Sequence, residues 1–115
     1  MATILYGIPN CDTVKKARRW LDDHGVAYSF HDFRKDGLEP AKLQGWIDAL
    51  GWEKLLNKSG TTFRKLPDDK KAGLDAASAK ALMLDQPAMI RRPVVESAAG
   101  LGVGFAADDW QQRFA

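Results

Sequence analysis

Residues 3–14, TILYGIPNCDTV, join a short apolar run to a polar turn and then to the first residues of a helix. The apolar run, 3–8, has the length of a buried strand and is bounded by the turn-forming pair 9–10. Asp12 or Thr13 can open a helix, whose apolar residues recur at helical spacing: Val14, Ala17 and Leu21. The stretch therefore predicts a strand that leads through a turn into an amphipathic helix.

Three further segments, one before and two after the middle of the chain, predict the remaining strands. Residues 27–33 alternate in polarity and are rich in aromatics, which indicates a second strand, and Gly25 ends the helix before it. Residues 89–95 read as an apolar strand interrupted by Pro93, and residues 100–105 pair with its end as a hairpin. A short helix then carries two aromatic residues four positions apart, Trp110 and Phe114.

Between these strands the pattern is helical. Pro40 suits the first position of a helix that ends at Gly51. Residues 52–74 predict short helical pieces, with 68–71 as an exposed turn, and residues 75–85 predict a further helix. The order β-α-β, helices, β-β-α predicts an α/β fold with a mixed sheet of about four strands.

The composition predicts one globular domain, residues 1–115. A chain of 115 residues is far below the length of about 250 at which domains divide. Seventeen basic and fifteen acidic residues are interspersed, which argues against nucleic acid as a partner, and no apolar run approaches the roughly 20 residues of a membrane span. Residues 1–8 lack the features of an export signal. Cys11 is the only cysteine, which excludes an internal disulfide and a cysteine-rich metal site and favours the cytoplasm.

Cys11 lies after a predicted buried strand and at the start of a helix. Unpaired backbone N–H groups and the helix dipole stabilise an anion at this position, and a thiolate is such an anion. The placement, with Lys15 one turn further on, predicts a lowered thiol pKa. A small buried hydrophobe is the alternative interpretation, and the polar turn around Cys11 argues against it.

Arg91-Arg92-Pro93-Val94 forms a second candidate constellation. One interpretation is an edge strand with a solvated basic pair. The other is a proline that begins a strand beside the thiol, through a cis peptide bond, with the guanidinium of Arg92 directed at an anion.

Taken together, GIPNCDTVKKA at 7–17 and RPVV at 92–95 resemble the arsenate reductase ArsC family with its Spx and YffB branches, and most closely the YffB branch. The resemblance covers essentially the whole chain. It implies a thioredoxin-like fold with an inserted helical section. It also implies that Cys11 is the nucleophile, that Arg92 is the arginine before the family's cis-proline, and that Pro93 is that proline.

Other positions depart from the family pattern. Arsenate reductases of this family use two further arginines, and here the corresponding positions hold Asn57, followed by Lys58, and Phe105. Arg64 is the nearby residue that could compensate. The Spx branch often carries Cys-x-x-Cys, whereas here the fourth residue of that motif is Val14, so any disulfide of this chain must involve another molecule.

The resemblance and the residues together favour a cytoplasmic, glutathione-dependent thiol–disulfide reductase with a single catalytic cysteine. Glutathione would be a co-substrate, with no bound cofactor or metal, and a monomer is expected. The catalytic residues are predicted to be Cys11 and Arg92, and the substrate-binding residues Asn10, Thr13, Lys15, Lys58, Arg64 and Pro93. The alternatives are an arsenate reductase and an Spx-like regulatory protein that binds RNA polymerase.

Overall fold

The computed structural model describes residues 2–114. Their contacts group into two compact units, one formed by the chain up to Gly37 and from Arg92 onward, the other by Leu38–Arg91. The single domain over 1–115 stays a prediction, and its terminal residues, 1 and 115, lie outside the described residues. No helix within 2–114 is long and apolar enough to cross a membrane.

The first unit contains all the strands that the structure describes, and two helices. In chain order its elements are β1 (Ile4–Gly7), α1 (Asp12–Asp23), β2 (Ser29–Asp32), β3 (Val94–Ser97), β4 (Gly100–Val103) and α7 (Ala107–Arg113). The strands lie in the order β2-β1-β3-β4, with β1 parallel to β2 and the other pairs antiparallel. The predicted α/β, thioredoxin-like arrangement with a mixed four-stranded sheet is therefore confirmed.

The register of β1 and β3 brings two distant parts of the chain together. Tyr6, near the end of β1, lies opposite Val94, the first residue of β3. Because the two strands are antiparallel, the chain enters β3 at the edge of the sheet where it leaves β1. Residues 92–93 therefore lie at the same end of the sheet as Cys11.

Both helices of this unit contribute to one apolar core. Its fully buried members come from the sheet and from the inner faces of α1 and α7: Leu5, Ala17, Leu21, Val95 and Trp110. The buried face of α1 is the one that its sequence period predicts. The Arg113 side chain lies next to Gly102 of β4, and its Nη1 donates to the carbonyl of Gly100 at 3.0 Å. This hydrogen bond links the end of α7 to the sheet.

The second unit is helical, as predicted. Its elements are α2 (Pro40–Leu50), α3 (Trp52–Leu55), α4 (Thr61–Arg64), α5 (Asp68–Lys71), α6 (Ala76–Asp85) and a 3₁₀ turn (Pro87–Met89). Pro40 is at the start of α2, where its missing N–H costs nothing. Asp75 caps α6 through a capping box with Ser78.

Two predicted elements differ from the structure. The strand expected from residue 89 begins only at Val94, because backbone groups of Met89 and Arg91 bond to Asn57 and Leu55 and not to the sheet. The amide of Asn57 donates to the carbonyl of Met89 at 2.8 Å, and that of Arg91 donates to Leu55 at 2.6 Å. Residues 68–71, predicted as a turn, form the single helical turn α5.

Candidate active site

Cys11 is the N-cap residue of α1. Its backbone is extended, with φ −87° and ψ 128°, and its carbonyl accepts the first helical hydrogen bond from the amide of Lys15 at 2.9 Å. The turn before it is closed by the Cys11 amide, which donates to the carbonyl of Ile8 at 3.2 Å. Serine, threonine, aspartate and asparagine usually occupy this position because their side-chain oxygen accepts from the first backbone N–H groups of the helix. Here a half-exposed thiol occupies it.

The surroundings of the sulfur favour its thiolate form. Burial raises the pKa of Cys11, but interactions with the Val14 backbone N–H, with the Arg92 side chain and with the Thr13 backbone N–H outweigh it, so the pKa is lowered. The lowered pKa that the sequence predicts is confirmed in direction. Lys15, expected to strengthen the effect, has an exposed side chain, and the groups that act on the sulfur are Arg92 and the backbone of the first helical turn.

Arg92 and Pro93 are held at this edge by the start of β3. Pro93 is buried, and its carbonyl accepts from the amide of Gly104 at 2.8 Å, which ties it to the end of β4. The Arg92–Pro93 peptide bond is cis, as the sequence predicts. Arg92 is half-buried and acts on the Cys11 sulfur through both its hydrogen bond and its charge. The solvated-pair interpretation therefore fails for Arg92 but describes Arg91, whose side chain is exposed.

The other predicted binding residues divide between the two units. Asn10 and Thr13 are exposed in the turn and first helical turn around Cys11. Lys58 and Arg64 belong to the second unit and are also exposed. Lys58 places its ammonium group 5.4 Å from the centre of the Trp52 ring. The substrate-binding role of these residues stays a prediction. Within residues 2–114 no cluster of three metal-ligating side chains occurs.

Sequence reasoning missed a close contact beneath the cysteine. Gly7, the last residue of β1, faces Val14 of α1, and a Cβ atom at position 7 would lie 2.8 Å from Cγ2 of that valine. From the sequence, a glycine before a turn is interpreted only as a turn residue. The sequence does not show which side chain would collide with a Cβ atom at that position. Val14 is also the residue whose backbone N–H helps to lower the pKa of the Cys11 thiol.

A second feature that the sequence did not reveal is a part-buried hydrogen bond between a tyrosine and a carboxylate. The hydroxyl of Tyr6 donates to Oε1 of Glu96 at 2.7 Å. Burial, the hydrogen bond and the charge of Glu96 all raise the pKa of Tyr6. The bond links β1, which precedes Cys11 in the chain, to β3, which follows Arg92. A glutamate inside the apolar strand β3 was the available indication that a buried partner exists.

The pH dependence of alkylation tests the state of the thiol. The thiolate is the reactive form, so the rate of reaction with iodoacetamide rises with pH through the pKa of Cys11. Because this pKa is lowered, we expect the midpoint of the rise below the ordinary cysteine value of about 8.5. A midpoint at or above that value would show that the helix backbone and Arg92 do not stabilise the thiolate.

Comparisons with known proteins agree with this geometry. The solved structure of the YFFB (PA3664) protein is 50% identical, has a TM-score of 0.95 and matches over 99% of this chain and 100% of its own. An uncharacterized protein of Haemophilus influenzae is 40% identical over 111 residues, which cover 96% of this chain and 97% of that protein. The global transcriptional regulator Spx of Streptococcus agalactiae is 28% identical over 107 residues, 91% of this chain and 77% of its own length.

The match at the family level extends across both units and includes every residue that builds the site. The sequence model of the ArsC family matches residues 6–113, a range that begins within β1 and ends with α7. The range contains Cys11 at the helix N-cap and the Arg92–Pro93 pair. With these matches the chain belongs to the ArsC family.

Proposed function

We propose that this protein is a glutathione-dependent thiol–disulfide reductase that works with one cysteine. The observation that carries the proposal is the N-cap position of Cys11, where the helix backbone and Arg92 together lower the thiol pKa. A lowered pKa increases the fraction of thiolate, which is the species that attacks a disulfide. The thiol is also half-exposed, so a substrate sulfur has access to it.

The proposed reaction balances with glutathione as the only reductant. The Cys11 thiolate attacks the glutathione sulfur of a mixed disulfide between glutathione and the substrate, and a bond forms between these two sulfurs. The bond to the substrate sulfur breaks, and that sulfur leaves as a thiolate and takes a proton from water. A second glutathione thiolate then attacks the sulfur of the bound glutathione, which releases oxidised glutathione and restores the Cys11 thiolate. The net reaction is an exchange: the substrate sulfur leaves as a thiol, and the two glutathione molecules leave as one disulfide.

A single cysteine fits this route. Cys11 is the only cysteine of the chain, so its mixed disulfide has no internal thiol to resolve it and a second molecule must do so. Glutathione is abundant and reduced in the cytoplasm, and we propose that the protein works there as a monomer, with glutathione as a co-substrate.

Recognition of glutathione rests on its two carboxylates and its extended shape. Arg92 is proposed to pair with an anionic group of the tripeptide next to the sulfur. Lys58 or Arg64 is proposed for the other carboxylate, and Asn10, Thr13 and Lys15 for further contacts, because all five side chains are exposed. A backbone group next to Pro93 is proposed to align the tripeptide. Dispersed cations suit an extended molecule with a carboxylate near each end, whereas arsenate needs several donors that converge on one small volume.

Mass spectrometry after treatment with oxidised glutathione tests this proposal. We expect one glutathione adduct per chain, located at Cys11, and its removal by reduced glutathione. In parallel we expect arsenate reduction far below the efficiency of about 10⁴ M⁻¹s⁻¹ at the lower end for enzymes. A protein that reduced arsenate at that efficiency and resisted glutathionylation would reverse the ranking of the two activities. Efficient adduct formation without turnover of any disulfide would favour a regulatory role.

A further inference from the structure

We infer that Gly7 is a positioning residue for the reactive sulfur: because it has no side chain, the first turn of α1 packs against the end of β1 and holds the Val14 backbone N–H beside Cys11. The inference rests on the proposed function, since it explains how the fold prepares the attacking thiolate. It assigns a task to a residue that makes no contact with a substrate.

The contact between Gly7 and Val14 leaves no room for a side chain. A Cβ atom on Gly7 would lie 2.8 Å from Cγ2, 3.5 Å from Cγ1 and 3.8 Å from Cβ of Val14. The first distance is well inside carbon–carbon van der Waals contact. Val14 is fully buried, and its β-branched side chain has few rotamers to choose from, so the valine cannot easily turn away.

The strand is the more firmly held of the two partners. β1 lies in the interior of the sheet and bonds to β2 on one side and β3 on the other. At its end, the carbonyl of Gly7 also accepts from the amide of Phe33 at 3.0 Å. An added methyl group at position 7 would therefore displace the start of α1 and leave the strand in place.

Displacement of that turn would act directly on the sulfur. With Cys11 as the N-cap, Val14 is the third helical residue, so its backbone N–H is one of the unpaired donors at the start of the helix that act on the sulfur. Val14 thus contributes both the side chain that contacts Gly7 and the backbone N–H that acts on the thiolate. Arg92 lies just before β3 and is not part of α1, so its contribution would remain.

The test compares the pH dependence of iodoacetamide alkylation in wild type, Gly7→Ala and Gly7→Ala/Val14→Ala. We expect the midpoint to rise in Gly7→Ala toward the free-thiol value of about 8.5. Each unit of rise lowers the rate at acidic pH roughly threefold, because the smaller thiolate fraction is offset in part by a more nucleophilic thiolate. The double variant removes Cγ2 of Val14 and should return the midpoint toward that of wild type.

A second glycine supplies the matched control. A Cβ at Gly102 would lie 2.5 Å from Nη2 of Arg113, so Gly102→Ala would push the end of this flexible side chain aside and disturb its hydrogen bond to the Gly100 carbonyl, away from the cysteine. It should lower stability toward denaturant and leave the alkylation midpoint unchanged. A folded Gly7→Ala with the wild-type midpoint would overturn the inference, and so would a double variant that keeps the raised midpoint.

The outcome stays decisive if Gly7→Ala does not fold. Val14→Ile then adds a methyl group on the helix side of the same contact, and the midpoint of alkylation should again rise. An unchanged midpoint in that variant would reject the role of Gly7. Failure of the proposed function has a different signature. It would appear in wild type, as an unlowered midpoint or a thiol that takes up no glutathione, whatever the glycine variants do.

Discussion

Cys11→Ser is expected to abolish disulfide reduction and leave the fold intact. A serine hydroxyl loses its proton far less readily than a thiol and forms no disulfide. The rate should therefore fall to that of uncatalysed exchange between glutathione and the substrate. The fold should survive because serine is among the preferred N-cap residues and its oxygen can accept from the same backbone N–H groups. Turnover with glutathione and a small mixed disulfide, together with denaturant unfolding, measures both quantities.

Cys11→Ala separates the chemical role from the capping role. Both variants should be inactive, but alanine cannot cap, so Cys11→Ala should be less stable than Cys11→Ser by about 1 kcal/mol. Equal stabilities would show that the side chain at position 11 contributes nothing to the helix end. Turnover by Cys11→Ser above the uncatalysed rate would show that the thiol is not the nucleophile.

Arg92→Ala is expected to slow reaction with anionic disulfides much more than with neutral ones. A charge-assisted hydrogen bond is worth about 1.5–3 kcal/mol, which corresponds to a loss of roughly tenfold to a hundredfold for the anionic substrate. Arg92 also lowers the pKa of Cys11, so its removal reduces the thiolate fraction near neutral pH for every substrate. Rates should therefore be compared above pH about 9.5, where the thiolate predominates in both proteins.

The neighbouring arginine provides the control for net charge. Arg91→Ala removes the same charge from an exposed side chain, and the Arg91 backbone bond to Leu55 remains. It should leave the ratio of anionic to neutral rates as in wild type. If Arg92→Ala slowed both classes of disulfide equally at high pH, the guanidinium would act on the thiol and not on the substrate.

Local patterns in the sequence were enough for most of the elements around the site. The spacing of Val14, Ala17 and Leu21 predicts α1, whose buried residues are these three. The apolar run 3–8 similarly predicts β1, and the proline before Val94 marks the start of β3. Each of these features acts within one or two turns of chain, where period and turn chemistry decide the structure.

Features that depend on distant partners were beyond such reasoning. The chain near residue 90 has a strand-like composition, yet Ile90 pairs in an isolated bridge with Leu56. The bond between Tyr6 and Glu96 joins residues that are 90 positions apart. The tight fit of Gly7 against the side chain of Val14 depends on how closely α1 approaches β1 in the fold, which no local pattern encodes.

A cysteine at the cap couples the oxidation state of the sulfur to the energy of the helix end. In the reduced protein the thiolate interacts with two backbone N–H groups and with Arg92. In an adduct the sulfur carries no charge, so these interactions weaken and the adduct unfolds more easily than the reduced protein. By the same thermodynamic cycle, stabilisation of the reduced form raises the reduction potential of the mixed disulfide. We therefore expect Cys11 to be a good leaving group, and the proposed glutathione adduct to be resolved readily by a second thiol.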